Sequence, residues 1–153
     1  MNRKLLSIAA VSLSMFGLNV ISTGAAHAQV PSTCTVGVNC PPYSCETGEA
    51  CLYYNSIENG LNGIYKQHGN IADYRYDSTG HPIAFQISNY GGEGSGQTVK
   101  NNAGAVWNRS DQRFGVFYNS SYSCAVACQS IPSLVRVDLN SSLKNNNASG
   151  YYY

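Results

Sequence analysis

Charge is scarce in this chain: 9 Lys and Arg and 8 Asp and Glu in 153 residues, 11% in all. Beyond Arg3 and Lys4 the basic residues stand singly between Lys66 and Lys144, with no run among them. Phosphate backbones are bound by clustered Lys and Arg, so a nucleic-acid partner is excluded, as is charge-driven attachment to a membrane surface. Histidine is as sparse. After residue 28 only His68 and His81 occur, each beside a glycine in a polar stretch, where a solvated loop residue is expected. No H-E-x-x-H or G-x-S-x-G is present. The carboxylate pairs Glu46/Glu49 and Asp73/Asp77 read as surface charges rather than glycosidase acids. The chain is therefore not expected to be an enzyme, and neither a catalytic residue nor a cofactor is assigned. A long amphipathic helix is missing too, since its best candidate, residues 57–65, is broken by Gly60 and Gly63.

The one long apolar run lies at the N-terminus. Arg3 and Lys4 precede residues 5–26, which carry no charge, and Ala26-His27-Ala28 supplies a small-x-small cleavage pattern. Ser, Gly, Asn and Thr interrupt the run and no basic cluster follows, so a cleaved signal peptide is favoured over a membrane anchor. The expected organisation is a signal peptide over 1–28, an extended Cys/Pro-rich segment over 29–44 and one domain over 45–153. The product would be secreted, extracellular, free of the membrane after cleavage, and monomeric. All six cysteines follow the cleavage point: Cys34, Cys40, Cys45, Cys51, Cys124 and Cys128. An even count in an exported chain argues for disulfides. The short spacings favour Cys34–Cys40, Cys45–Cys51 and Cys124–Cys128. Such small rings add less stability than long ones, and their use is to hold a local shape. Paired C-x2-C knuckles, which would suggest zinc, are absent.

What is present is a repeat. Leu52-Tyr53-Tyr54-Asn55-Ser56 returns as Val116-Phe117-Tyr118-Asn119-Ser120, and Asn101-Asn102-Ala103 returns as Asn146-Asn147-Ala148. The openings lie 64 residues apart and the closings 45, so the first copy carries 19 extra residues. Strand-like alternation supports two copies of one β unit. Ile83, Phe85 and Ile87 alternate with Ala84, Gln86 and Ser88. Phe114, Val116 and Tyr118 alternate with Gly115 and Phe117, and Val135, Val137 and Leu139 with Arg136 and Asp138. Residues 89–97 contain Gly91, Gly92, Gly94 and Gly96 and are expected to be loop. Tyr151-Tyr152-Tyr153 is expected to complete the last strand. The fold class is all-β: two Greek-key motifs forming a disulfide-stabilised sandwich.

The ordered set C-x5-C-L-Y-Y-N-S over 45–56, G-Q-T-V-K-N-N-A over 96–103 and V-F-Y-N-S-S-Y over 116–122 resembles secreted actinobacterial peptidase inhibitors of the metalloproteinase-inhibitor type, family thirty-six of the peptidase-inhibitor classification. The resemblance runs from about Cys45 to the C-terminus. It implies a βγ-crystallin-like sandwich and an extracellular peptidase as partner. It also implies a reactive site on a short disulfide-tied loop in the second half. By position that loop is Cys124-Ala125-Val126-Ala127-Cys128, although it is C-x3-C where the characterised inhibitor has C-x4-C. Thermolysin-like zinc peptidases favour a branched apolar residue after the scissile bond, so Ala125–Val126 is the expected reactive bond.

Two other readings compete. Calcium-binding βγ-crystallins carry an N/D-N/D-x-x-S/T-S turn, and Asn145, Asn146 and Ser149 match part of it, with few carboxylates nearby. Twelve tyrosines and Trp107 would allow a carbohydrate- or cell-wall-binding module with exposed aromatic faces. In either case the protein would be a structural binding module without inhibitory activity.

Overall fold

The computed structural model describes residues 42–153. The expected signal peptide, most of the segment 29–44 and the Cys34–Cys40 pair lie outside the described residues. Seven short strands form in chain order: β1 Ala50–Tyr53, β2 Ile64–Gln67, β3 Ala105–Asn108, β4 Phe114–Phe117, β5 Cys128–Ile131, β6 Arg136–Asp138 and β7 Ser149–Tyr152. They make two antiparallel sheets, ordered β2-β1-β3-β6 and β5-β4-β7. The class is all-β, as expected, and Gly60 and its neighbours form turns rather than a helix.

Period-two alternation decides what each sheet buries. Ala50 and Leu52 of β1, Val106 of β3, Phe114 and Val116 of β4 and Ile131 of β5 meet between the sheets in the main core. The opposite face of the first sheet is also covered. Cys51, Tyr53, Ile64 and Ala105 form a second cluster there with Cys45 and Leu61, and Tyr43 and Trp107 pack against it. β1 is therefore buried at all four positions. The Cys45–Cys51 disulfide ties the chain leading into β1 onto this second cluster. Tyr43 is hydrogen-bonded on both sides of its backbone, to Ile87 and Asn89, at 2.8 and 3.0 Å.

The repeat is real, but its closing register is one residue shorter than the matching letters suggest. β1 and β4 are 64 residues apart, as are β2 and β5, whereas β3 and β7 are 44 apart. Asn101 and Asn145, also 44 apart, are the closing-turn residues with positive φ, 62° and 59°. The two closing turns bond to each other reciprocally: Asn101 N–H donates to Asn147 O at 2.8 Å and Asn145 N–H to Ala103 O at 3.0 Å. The first copy thus carries 20 extra residues, between β2 and β3. The third strands change places. β6 of the second copy completes the first sheet beside β3, while the first copy's residues 71–74 lie along β7, bridging Ile71 to Gly150 and bonding Tyr74 N–H to Ala148 O.

The extra residues form an irregular arm. Ile83 to Ile87, expected as a strand, is instead a run of isolated bridges. The alternation is correct, with Ile83 and Phe85 buried, but the partner changes at nearly every step and no ladder forms. The glycines of 91–96 let the arm return over β1: at Gly94, with φ +79°, a Cβ would run into the Tyr54 ring. Val135, expected inward, lies exposed just before β6.

Candidate functional site

The β4–β5 connection, residues 118–127, is held along its first half and free at its apex. Tyr118 N–H donates to Ala127 O at 3.0 Å, closing the base. Ser121 and Tyr122 adopt φ of 58° and 60° and turn the chain, which lets Ser121 N–H reach Ala72 O at 2.7 Å. The Ser149 hydroxyl donates to Asn119 O at 2.7 Å and accepts Tyr122 N–H at 3.1 Å. Lys100 Nζ lies 3.1 Å from Ser120 Oγ and 3.0 Å from Asp73 Oδ1. Burial pushes the Asp73 carboxyl up, but hydrogen bonds from Lys100 and the Arg75 backbone outweigh it and hold the group below its usual range.

Beyond Tyr122 the chain leaves the body. Cys124, Ala125 and Val126 are exposed, Val126 at 64%. Cys124 and Cys128 are disulfide-bonded with Cα atoms 5.1 Å apart. Ala127 turns back against the main core. All five predicted loop residues therefore lie on one small projecting ring. The first copy's β1–β2 connection, residues 54–63, treats the same number of residues differently. Ser56 O accepts Asn59 and Leu61 N–H groups, and Leu61, the positional equivalent of Ala125, is buried in the second cluster. The first connection tucks Leu61 inward, and the second presents Ala125 and Val126.

The predicted calcium ligands Asn145, Asn146 and Ser149 each make hydrogen bonds within the protein. Ser149 is buried and its hydroxyl is already committed to the loop. Asn145 N–H bonds to Ala103, and Asn146 donates through its backbone to Leu143 O and through its amide to Lys144 O. Asn147, not singled out from sequence, organises both closing turns. Fully buried, it accepts Ala103 N–H and donates to Val99 O, both at 2.9 Å. Its signal was the uninterrupted Asn run. Among the described residues, the metal-suited grouping Cys45, Glu49 and Cys51 has its two sulfurs bonded to each other.

Glu49 corrects an expectation. It is buried rather than a surface charge, with Lys66 Nζ at 3.0 Å and His68 Nε2 at 3.2 Å. His68 is thus a partner of a buried carboxylate and not simply solvated, whereas His81 is exposed in the Asp77–Thr79 turn, as expected. Lys66 and His68 also border a cavity of about 280 Å³ between β2 and the irregular arm. Tyr65 lines that cavity, and burial pushes its hydroxyl up to about 12. Two aromatic groupings are only partly buried. Trp107 carries the Arg109 and Arg136 guanidiniums at 4.9 and 5.1 Å from its ring centre. Tyr122, Tyr151 and Tyr153 stand in sequence beside the loop.

Two interlocked Greek-key sheets define a βγ-crystallin-like sandwich. A solved structure from work on the evolution of the eye lens βγ-crystallin domain fold matches with a TM-score of 0.51 at 15% identity, covering 74% of this chain and 93% of that one. Residues 73–129 match the model of peptidase inhibitor family I36, the family that the sequence resembles. That span runs from Asp73 through the irregular arm to the residue after Cys128, and it supports a peptidase inhibitor rather than an enzyme. No curated protein matches the chain.

Proposed function

We propose that the protein is a secreted, monomeric inhibitor of extracellular zinc endopeptidases. It acts by substrate-like insertion of the Cys124–Cys128 loop, with Ala125–Val126 as the bond presented. The observation that carries the reading is the exposed Val126 on a disulfide-closed ring whose base is anchored on both sides. The family match over residues 73–129 supports the inhibitor class.

An inhibitor that binds like a substrate must enter the cleft without being cut and released. Ordering a loop on binding costs about 0.5–1.5 kcal/mol per immobilised side chain, and a ring already closed avoids part of that cost. If the bond is cut, the disulfide keeps both ends in the cleft and religation remains possible. Purified protein titrated against thermolysin and subtilisin tests the reading. Stoichiometric inhibition of the zinc enzyme is expected. Inhibition of subtilisin alone would overturn the metal-peptidase assignment, and no inhibition of either at micromolar concentration would overturn the inhibitor reading.

A further inference from the structure

We propose that the outer face of the second sheet, carrying Tyr122, Tyr151 and Tyr153, is a second contact surface for the peptidase whose cleft takes the Cys124–Cys128 loop. The proposal rests on the inhibitor reading. A stable protein–protein interface buries about 800 Å² on each partner. A five-residue ring of Ala, Val and Cys, only three of them exposed, supplies a fraction of that. More surface next to the ring must join in if binding is tight.

The geometry identifies which surface. Tyr122 belongs to the loop itself, two residues before Cys124. Its ring lies 5.0 Å from that of Tyr151, whose ring lies 5.4 Å from that of Tyr153. The row starts in the loop and runs along β7 to the residue after it. Gly115 lies beneath its far end: a Cβ there would come within 2.8 Å of the Tyr153 hydroxyl, so the ring lies close over the strand. Tyr152, pointing the other way, anchors β7 by donating to Gln67 O and accepting Ala50 N–H. Tyr153 remains 58% exposed. Tyrosine is the residue type that recurs at binding hot spots, and a ring held by its neighbours has little freedom left to lose.

Comparison of the two copies strengthens the assignment. The equivalent face of the first sheet is covered by its own cluster, with Cys45, Leu61 and Tyr43 over it and Tyr90 against Tyr53. In the second copy β4 is likewise buried at all four positions, with the outward Phe117 against Tyr122, so the cover there is the tyrosine row itself. That row is continuous with the presented loop, and a partner seated on the loop is the surface that would meet it.

The test uses Tyr153→Ser in the full protein, against whichever peptidase the parent inhibits. The inhibition constant should rise about tenfold, with the thermal midpoint unchanged and the cleavage position in the loop the same. In the parent, nitration of Tyr153 by tetranitromethane should proceed in the free protein and be suppressed in the complex. The nitration arm decides the matter even if the variant loses stability. An unchanged inhibition constant, or equal nitration of Tyr153 free and bound, overturns the second surface while the parent's inhibition leaves the loop reading standing. Absence of inhibition by the parent removes both. Sedimentation showing a parent dimer that Tyr153→Ser dissociates would assign the face to self-contact. Retention on insoluble polysaccharide that the variant loses would assign it to sugar. Either result also overturns the proposal.

Discussion

Ser149 opens β7 with its hydroxyl held between Asn119 O and Tyr122 N–H, and at the equivalent position of the first copy stands Ala105. A buried hydroxyl in that place holds the turn from which the exposed ring departs. Ser149→Ala leaves a half-buried N–H and carbonyl without their partner, which costs about 1 kcal/mol. The expected result is a lower thermal midpoint together with faster amide exchange at Tyr122. Val126 is the opposite case, touching little of its own protein. Val126→Gly should leave the thermal midpoint unchanged and weaken inhibition about tenfold, since burying a Val side chain contributes about 1.5 kcal/mol or more. Asp73 makes the loop's support sensitive to acid. Its folded value is depressed below the ordinary 3.8. The contribution of the Asp73–Lys100–Ser120 contact is therefore present above about pH 3.8 and lost as the pH falls through the lower folded value. Amide exchange of Ser121 and Tyr122, measured down a pH series and corrected for intrinsic rates, should lose protection there, and in Asp73→Asn the acid step should vanish.

At the scale of elements, the strands that face one constant partner were legible as alternation: Phe114 and Val116 point into the main core as the sequence pattern requires. The Cys45–Cys51 and Cys124–Cys128 pairs and the glycine turns of 89–97 were legible for equally local reasons, spacing and backbone freedom. What escaped depends on distant neighbours. Residues 83–87 alternate like a strand yet pair with Thr98 and Gln86's partner Ile64 in separate bridges, so periodicity survives and the ladder does not. Glu49 is buried because Lys66 and His68 from β2 and its exit meet it, which a reading along the chain cannot see. The closing register slipped by one because Asn-Asn-Ala letters matched where the positive-φ residues, Asn101 and Asn145, did not. The loop's position was legible, while its anchors on Ala72, Lys100 and Ser149 were not. Those anchors lie outside the ring, so the double variant Cys124→Ser, Cys128→Ser should keep the fold at a cost of about 2 kcal/mol. Without the ring the loop should behave as a substrate. Mass spectrometry after incubation with the target peptidase should find cleavage at Ala125–Val126 and inhibition that decays with time. Intact protein and lasting inhibition would show that the anchors alone suffice.

At the scale of the whole molecule, the sheets are not two separable halves. β6 belongs to the second copy in sequence and to the first sheet in space, and residues 71–74 do the reverse. The main core draws Leu52 and Val106 from one sheet and Phe114, Val116 and Ile131 from the other. Unfolding is therefore expected to be a single cooperative transition for residues 42–153. Denaturant curves followed by Trp107 fluorescence, which reports the first sheet, and by the amide resonances of β4 and β7, which report the second, should coincide. Two separated midpoints would mean that each sheet holds by itself.

The exchange of third strands also governs how such a sequence can change over generations. Either repeat carried alone into another gene would arrive without the strand that completes its sheet, so neither can serve as a cassette for recombination. The strands have to be inherited as one set, with substitutions in β3 answered by β6 and those in β7 by residues 71–74. Only the connections are left to vary independently. There one copy has lengthened an arm and the other has closed a ring.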